Sequence, residues 1–336
     1  MKEAMFYKKT DDSTVQCLLC PHNCIIENNQ RGICGVRENR DGTLYSLVFG
    51  KAIAEHADPV EKKPLFHVYP GSRSFSISTV GCNLRCRHCQ NSDISQMPRD
   101  RDAVMGSNRS PEEIVSIAET KGCKSISYTY TEPTIYFEYA FETAKLASKR
   151  GLKNIFVTNG YINEEPLSEI SPYLDAANID LKAFTDDFYK KVCGARLQPV
   201  LDAIGTYKKL GIWIEITTLI IPGHNDSADE LEQIAKFIAG TGLEIPWHVT
   251  AYYPTYRLTD QPRTSVQTLQ KARETGLKAG LRYVYTGNIP GEEGENTYCY
   301  HCGKLLIKRI GFQIKENSVK NSICPHCQSE VHGVGI

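Results

Sequence analysis

The chain has 336 residues, and 39 lysines and arginines balance 39 aspartates and glutamates, so the formal net charge is zero. This length suits one large domain with small appendages, and the balanced charge does not indicate general nucleic-acid binding. The first residues lack an apolar signal core and Glu215 interrupts the apolar run 212–221, so we expect a cytoplasmic protein that does not cross a membrane.

Thirteen cysteines are the most informative part of the composition, and eleven of them fall in three clusters. Cysteines at high density form disulfides in small secreted domains, whereas clusters in a reducing compartment indicate metal. Cys123 and Cys193 lie outside the clusters and have no local activating signal. We expect these two to be ordinary thiols.

Residues 1–72 are predicted to form a first, cysteine-rich metal-binding region. It contains a closed set of four thiolates, namely Cys17, Cys20, Cys24 and Cys34. Such a set can hold zinc or an auxiliary iron–sulfur cluster, and His22 could replace one ligand. The segment 57–64 then leads into the next region.

A strand predicted at 73–80 is followed directly by Cys82, Cys86 and Cys89, spaced Cys-x3-Cys-x2-Cys. Three thiolates are one too few for a cluster of four irons, each of which needs a ligand. One iron is then left open to a substrate or cofactor, which indicates reactive rather than structural metal. The alternatives are three free thiols or part of a zinc site.

Residues 73–290 alternate between strand-like and helix-like stretches. Ser110 and Pro111 begin a predicted helix, with serine as the N-cap and proline at the first position. Further strands are predicted at 125–130, 154–158, 176–182, 213–221, 247–251 and 282–285, and further helices at 134–149, 197–210, 229–239 and 266–279. This alternation indicates parallel βα units, and an α/β fold with a partial (βα)6, TIM-like barrel suits the count. Such barrels place their chemistry at the carboxyl ends of the strands, where the cysteine loop lies.

The loop Gly81–Asn91 resembles the radical S-adenosylmethionine (SAM) superfamily. The resemblance implies the same partial barrel and a [4Fe-4S] cluster on Cys82, Cys86 and Cys89, whose open iron is chelated by the amino and carboxylate groups of SAM. His88 stands before the third cysteine, where the superfamily commonly has tyrosine or phenylalanine. Its imidazole can still stack or form a hydrogen bond there.

Two further positions match polar residues that contact SAM in that superfamily. Thr131-Glu132-Pro133 occupies the place of a Gly-Gly-Glu-Pro stretch, and a carboxylate suits the cationic amino group of SAM. Asn159 resembles a SAM-facing position of glycyl-radical activating enzymes, although Val157 replaces their aspartate. The alternatives are an exposed glutamate that begins a helix and a plain Asn-Gly turn.

Three charged or titratable residues complete the candidate SAM site. Asp180 and Lys182 share one face of a strand, and the resemblance places them near SAM or substrate, the alternative being an internal salt bridge. His248 could face the cofactor or be a core histidine. The stretch 286–291 could close the adenosine pocket with backbone groups, because its glycines allow close approach.

Residues 291–336 are predicted to form a zinc-ribbon-like region. Its four ligands are two Cys-x2-Cys pairs, Cys299 with Cys302 and Cys324 with Cys327. A zinc ion bound by four thiolates would stabilise a tail that is too short to build its own core.

Taken together, the N-terminal cysteines, the central loop and the C-terminal Gly-Asn-Ile-Pro-Gly with Cys-x2-Cys resemble the AmmeMemoRadiSam-system radical SAM enzymes, relatives of the pyruvate formate-lyase activating enzyme. The resemblance implies reductive cleavage of SAM to a 5′-deoxyadenosyl radical that abstracts hydrogen from a substrate. The expected partners are a flavodoxin or ferredoxin electron donor and a MEMO, AMMECR or glycyl-radical protein. The alternatives are radical modification of a small molecule or another macromolecule, and a non-catalytic electron-transfer or binding protein.

Overall fold

The computed structural model describes residues 1–289 and 293–336. Its central sheet has eight strands in sequential order, of which the first is antiparallel to the second and the rest run parallel. They are β1 (Ala54–Pro59), β2 (Arg73–Ser78), β3 (Ser125–Tyr128), β4 (Lys153–Thr158), β5 (Ala176–Asp180), β6 (Trp213–Ile220), β7 (Trp247–Ala251) and β8 (Val284–Gly287). The predicted α/β partial barrel is confirmed.

Helices follow most of the parallel strands and cover the sheet. They are α1 (Pro111–Thr120), α2 (Phe137–Lys149), α3 (Glu164–Ile170), α4 (Leu197–Lys209), α5 (Ala228–Thr241) and α6 (Val266–Lys278). Helix α1 begins as predicted, because the Ser110 hydroxyl accepts the Glu113 amide at 3.2 Å and the Glu113 carboxylate accepts the Ser110 amide at 2.7 Å. Shorter helices lie at Ser92–Ser95, Met97–Asp100 and Asp186–Phe188.

Two elements of the barrel were not predicted from the sequence. Strand β1 carries polar residues and ends in proline, a composition that an edge strand tolerates because only one of its sides is paired. Helix α3 is too short to show a clear apolar period. The helix expected from 134 begins at Phe137 after a 3-10 turn at Pro133–Tyr136, and β8 lies two residues later than predicted.

The residues before β1 form small antiparallel sheets that pack against the barrel. Their strands are Lys2–Glu3, Tyr7–Lys9, Val15–Cys17, Ile25–Ile26, Arg37–Arg40, Thr43–Ser46 and Lys51–Ala52, the last of which pairs with Ser107–Asn108. A fully buried ion pair joins this region to α2, since Arg37 Nη1 lies 2.9 Å from Glu138 Oε1. Strand β1 (Ala54–Pro59) lies before residue 73, so the barrel sheet includes part of the region 1–72 that was predicted to be a separate cysteine-rich region.

The C-terminal residues form a three-stranded sheet of Thr297–Tyr298, Leu305–Ile310 and Gln313–Asn317. They contact the barrel through the segment 66–69, where Arg309 Nη2 donates to the Phe66 carbonyl at 2.8 Å and Val68 pairs with Val334. The predicted boundary between barrel and tail, at 290 and 291, lies outside the described residues, as do the last two residues of the Gly-Asn-Ile-Pro-Gly stretch.

His67 lies at this junction and gives a pH-dependent prediction. Burial lowers its pKa to about 4, and both ring nitrogens are bonded, Nδ1 to the His332 carbonyl and Nε2 to the Tyr285 hydroxyl. Between pH 6.5 and 4 only the unfolded chain takes the proton, so stability falls as pH falls through this window. Lowering the pH from 7 to 5 should cost about 2 kcal/mol through this residue, measured by anaerobic denaturant unfolding.

The variant His67→Gln tests this assignment, because a neutral amide cannot take up a proton. Its free energy of unfolding should fall less steeply between pH 7 and pH 5 than that of the unmodified protein. An identical slope in the two proteins would contradict the prediction.

Among the helices of residues 1–289 and 293–336, none combines the length and the apolar character needed to cross a bilayer.

Candidate active site

A pocket lies at the carboxyl ends of the parallel strands, under the cysteine loop. Eight of the nine residues that the sequence predicted to hold a cluster or SAM line it: Cys82, Cys86, His88, Cys89, Glu132, Asn159, Asp180 and Lys182. They come from the ends of β2, β3, β4 and β5, which meet at one edge because these strands are parallel neighbours. The structure therefore brings these distant positions together.

The cysteine loop is held by backbone contacts on both sides. The amides of Arg85 and Arg87 donate to the carbonyls of Cys193 and Val192 at 2.7 and 3.0 Å. Cys82 Sγ accepts the Leu84 amide at 3.4 Å, and the Cys89 sulfur lies 3.1 Å from the Ser95 hydroxyl. Such contacts fix the ligand positions before a cluster binds and adjust the charge on the sulfurs.

Cys193 lies behind this loop and does not line the pocket. The neighbouring thiol of Cys193 lowers the pKa of Cys86, although burial acts in the opposite direction. The three cysteines of the motif thus face the pocket. Cys193 is a neighbour of Cys86 but does not line the pocket.

His88 is 5% exposed, packs near Phe188 and lines the pocket. Burial, together with the charge of Lys182, lowers its pKa to about 3, so the ring is neutral near pH 7. Its Nδ1 atom is buried and has no hydrogen-bond partner among the described residues. A buried polar atom without a partner costs free energy, and a ligand in this pocket would supply the missing partner.

We expect His88→Ala to weaken SAM binding by about tenfold, because one hydrogen bond or ring contact contributes about 1–1.5 kcal/mol. His88→Phe, which keeps the ring but not Nδ1, separates the two contributions. Equilibrium binding of SAM to the anaerobically reconstituted protein measures both variants. Unchanged affinity in His88→Ala would exclude a contact between this ring and SAM.

Glu132 is fully buried and organises the end of β4. Its carboxylate accepts the Thr134 amide and hydroxyl at 3.0 and 2.7 Å, the Thr158 hydroxyl at 2.8 Å and the Asn159 amide at 2.8 Å. Burial raises its pKa, while these hydrogen bonds act to lower it. Glu132 therefore caps the 3-10 turn at Pro133–Tyr136 but is not exposed, unlike the residue of the alternative interpretation, and it lines the pocket.

Asn159 connects the ends of β2 and β4. Its Nδ2 donates to Asn83 Oδ1 at 2.9 Å and lies 3.7 Å from Cys82 Sγ, and its Oδ1 accepts the Tyr161 amide at 2.9 Å. It thus both closes a turn and holds the cysteine loop in place.

Asp180 and Lys182 form an ion pair at the pocket, with Lys182 Nζ 2.7 Å from Asp180 Oδ2. Burial acts to lower the pKa of Lys182, but the negative charges of Asp180 and Cys86 raise it well above the usual value. The lysine is 14% exposed and remains charged, so it provides a cation beside the cysteine loop.

His248 is the one predicted SAM contact that the structure does not bring to the pocket. It lies lower in the barrel, where its Nε2 atom is 2.7 Å from Glu215 Oε2 and its ring packs against Phe66 and Tyr285. Glu215 also accepts the amides of Phe66 and His67 at 3.0 and 2.8 Å. His248 here is a core histidine, because a buried carboxylate takes its ring nitrogen.

Sequence reasoning missed a second group of pocket residues, Lys63, Tyr130 and Thr217. Lys63 Nζ and the Tyr130 hydroxyl contact Asp58 Oδ2 at 2.7 and 2.6 Å, and Tyr130 has a left-handed φ of +63°. Thr217 Oγ1 is buried without a partner among the described residues. A strained residue beside a pocket is a common feature of functional sites, but no sequence motif marks it.

The C-terminal cysteines form a compact group whose four sulfurs all lie within 4.8 Å of one another. Cys299 and Cys327 are 3.6 Å apart, and Cys302 and Cys324 are 3.8 Å apart. A tetrahedral ion with metal–sulfur bonds of about 2.3 Å separates its thiolates by about 3.8 Å. This geometry suits one metal ion.

The chain is similar to radical SAM proteins in sequence. Residues 76–238 match the model of the Radical SAM superfamily. Uncharacterized protein MJ0808 of Methanocaldococcus jannaschii is 48% identical over 98% of this chain and 99% of its own length. The pyruvate formate-lyase-activating enzyme of Clostridium pasteurianum is 24% identical over 63% of this chain and 91% of its own length.

Solved structures share the fold at low sequence identity. A radical SAM methyltransferase from Sphaerobacter thermophilus superposes with a TM-score of 0.52 at 14% identity, over 89% of this chain and 79% of that one. Streptococcus suis SuiB bound to S-adenosylmethionine gives 0.51 at 15% identity, over 68% and 53%. With the fold of these structures established, the sequence matches show that this chain is an enzyme of the radical SAM superfamily, related to the pyruvate formate-lyase activating enzymes.

Proposed function

We propose that Cys82, Cys86 and Cys89 hold a [4Fe-4S] cluster and that SAM binds to its open iron in the pocket beneath the loop. The observation that carries this proposal is that three thiols face one pocket, which also contains two buried polar atoms that lack a hydrogen-bond partner within residues 1–289 and 293–336, His88 Nδ1 and Thr217 Oγ1. A ligand rich in donors and acceptors, such as the adenosyl and methionyl groups of SAM, would satisfy them.

The protein's own residues would position this ligand. A bound and reduced cluster would supply the one electron that cleaves SAM to methionine and a 5′-deoxyadenosyl radical, which would abstract hydrogen from a substrate. Glu132 and Asn159 fix the strand end beside Cys82. Asp180 and Lys182 place one charge of each sign at the pocket, complementary to the amino and carboxylate groups of methionine.

The substrate we favour is a partner protein that loses a hydrogen atom from one glycine and becomes a glycyl-radical protein. The names of two M. jannaschii relatives support this class: both are called "Putative glycyl-radical enzyme activating enzyme", and they are each 27% identical, over 62% and 52% of this chain. A flavodoxin or ferredoxin would supply the electron, and the resemblance to the AmmeMemoRadiSam system adds MEMO- and AMMECR-type proteins as candidate partners. Modification of a small molecule or another macromolecule is the competing proposal.

For the C-terminal set we propose structural zinc. The four sulfurs stand at the spacing of a tetrahedral ion, and the surrounding core is small, so a bound ion would stabilise the fold of this tail.

Anaerobic reconstitution followed by dithionite and SAM tests the proposed reaction, with 5′-deoxyadenosine quantified by chromatography. Product from the intact protein is the expected result, and its absence from protein that carries a full cluster would overturn the proposal. Deuterium transfer into 5′-deoxyadenosine then separates the substrates. Label from a partner protein deuterated at glycine supports the protein substrate, whereas label from a small molecule supports the competing proposal.

A further inference from the structure

We propose that Cys17, Cys20, Cys24 and Cys34 hold a second [4Fe-4S] cluster rather than zinc. These residues are separate from the pocket described above, so the inference does not depend on the proposed function. Zinc and an iron–sulfur cluster are both compatible with the sequence, and the arrangement of the side chains distinguishes them.

The four thiols share one enclosed cavity in the N-terminal region. Its walls are mostly apolar, with Leu19, Ile26 and Ile135 at most 2% exposed, and none of the four cysteines forms a disulfide. Four thiolates satisfy all four irons of a cubane. This set therefore suits a closed cluster with no open iron, in contrast to the three thiols of the pocket.

The spacing of the sulfurs argues against a single ion. The C-terminal set provides an internal standard, because its four sulfurs lie within 4.8 Å of one another. No other group of three or more cysteine, histidine or acidic ligand atoms is that close within residues 1–289 and 293–336. The N-terminal thiols thus share a cavity without converging on one point, as do Cys82, Cys86 and Cys89. A cubane needs this separation because each thiolate binds a different iron.

Arg37 provides a second, independent indication of a ligand in the cavity. Its side chain lines the cavity and is 2% exposed. Nη1 is paired with Glu138 at 2.9 Å, but Nε is buried and has no acceptor among the described residues. Sulfur atoms of an anionic cluster would accept this hydrogen bond and would also be stabilised by the guanidinium charge.

The N-terminal cysteine set lies next to the loop that carries Cys82, Cys86 and Cys89. This proximity determines how the proposal must be tested. A Cβ atom at Gly81 would lie 3.0 Å from the Cys34 carbonyl and 2.8 Å from Val36, and this glycine has a φ of +100°. His22, on the cavity wall, bonds the Asn83 carbonyl through Nε2 at 2.8 Å. Removing the N-terminal ligands would therefore disturb the loop that carries Cys82, so the cleaner test removes the other cluster.

The test is the triple variant C82A/C86A/C89A of the full chain, purified without oxygen and reconstituted with ferrous iron and sulfide in the presence of zinc. We expect about four irons, about four sulfides and about one zinc per chain. Two zinc ions and no sulfide-bound iron would overturn the proposal. As matched controls, adding C17A and C20A should remove the remaining iron and keep the zinc, whereas adding C123A should change neither.

If the triple variant does not fold, measurements on the unmodified protein distinguish the same two alternatives, a second cluster and a second zinc ion. Two clusters predict about eight irons and eight sulfides per chain, and two electron paramagnetic resonance signals after reduction, of which only one changes when SAM is added. About four irons with two zinc ions would overturn the inference. If eight irons are present and neither signal responds to SAM, the result would instead overturn the proposed function and leave the second cluster standing.

Discussion

Replacing Cys86 with alanine is expected to abolish the formation of 5′-deoxyadenosine from SAM, leaving only the background seen without enzyme. Cys86 is one of three thiols that face the pocket, and two thiolates cannot hold a cubane whose fourth iron must stay open. The measurement is chromatography of the product after anaerobic reconstitution, together with iron and sulfide content. Iron at the pocket should be lost in parallel with activity.

The matched control for this prediction is Cys123→Ala, which removes another buried thiol that lies outside the pocket. It should retain the iron content and rate of the unmodified protein. If Cys86→Ala kept full activity, or if Cys123→Ala lost it equally, the assignment of the three ligands would be wrong.

Cys193→Ala tests whether the fourth iron is really open. This thiol is a neighbour of Cys86 and lowers its pKa, but it does not line the pocket. We expect the variant to keep its cluster and to cleave SAM. Loss of the cluster would show that Cys193 supplies a fourth ligand, which would leave no iron for SAM.

The barrel could be predicted from the sequence because its signals are local. Apolar strands alternate with amphipathic helices, and the Ser110 capping box marks a helix start within four residues. Strand β1 escaped prediction because its polar residues are stabilised by pairing with β2, which begins 19 residues after β1 does. Edge pairing of that kind depends on the partner strand and not on the composition of the segment itself.

The site was predictable where a motif fixes the spacing of its residues. The three cysteines and His88 lie within eight consecutive positions, so their proximity follows from the chain itself. Lys63 and Tyr130 are 67 residues apart, and their contact exists only after folding. The position of His248 on a strand allowed two environments, a contact with the cofactor or a place in the core. In the structure its ring nitrogen contacts the buried carboxylate of Glu215, which is 33 residues away in the sequence.

Asp58→Asn is expected to lower the free energy of unfolding by about 3–5 kcal/mol, because it leaves the buried ammonium group of Lys63 without its counter-charge. Lys63 is 2% exposed and lies 2.7 Å from Asp58 Oδ2. Burial alone would raise the pKa of Asp58, but hydrogen bonds from Lys63 and Tyr130 hold it well below its usual range. The carboxylate therefore contributes its full stabilisation at neutral pH and loses it only below about pH 4, as the pH falls towards the lowered pKa.

Two variants distinguish the loss of this ion pair from a general effect of removing charge. Asp187→Asn breaks an exposed pair with Lys191 and should change the free energy of unfolding by less than about 1 kcal/mol. Combining Asp58→Asn with Lys63→Met removes both charges and should recover most of the lost stability, because an apolar side chain tolerates burial. Anaerobic denaturant titrations at pH 7 measure all three variants. If the double variant were as unstable as Asp58→Asn alone, the hydrogen bonds from Tyr130 and Ser76 to this carboxylate would account for the loss instead of the buried charge.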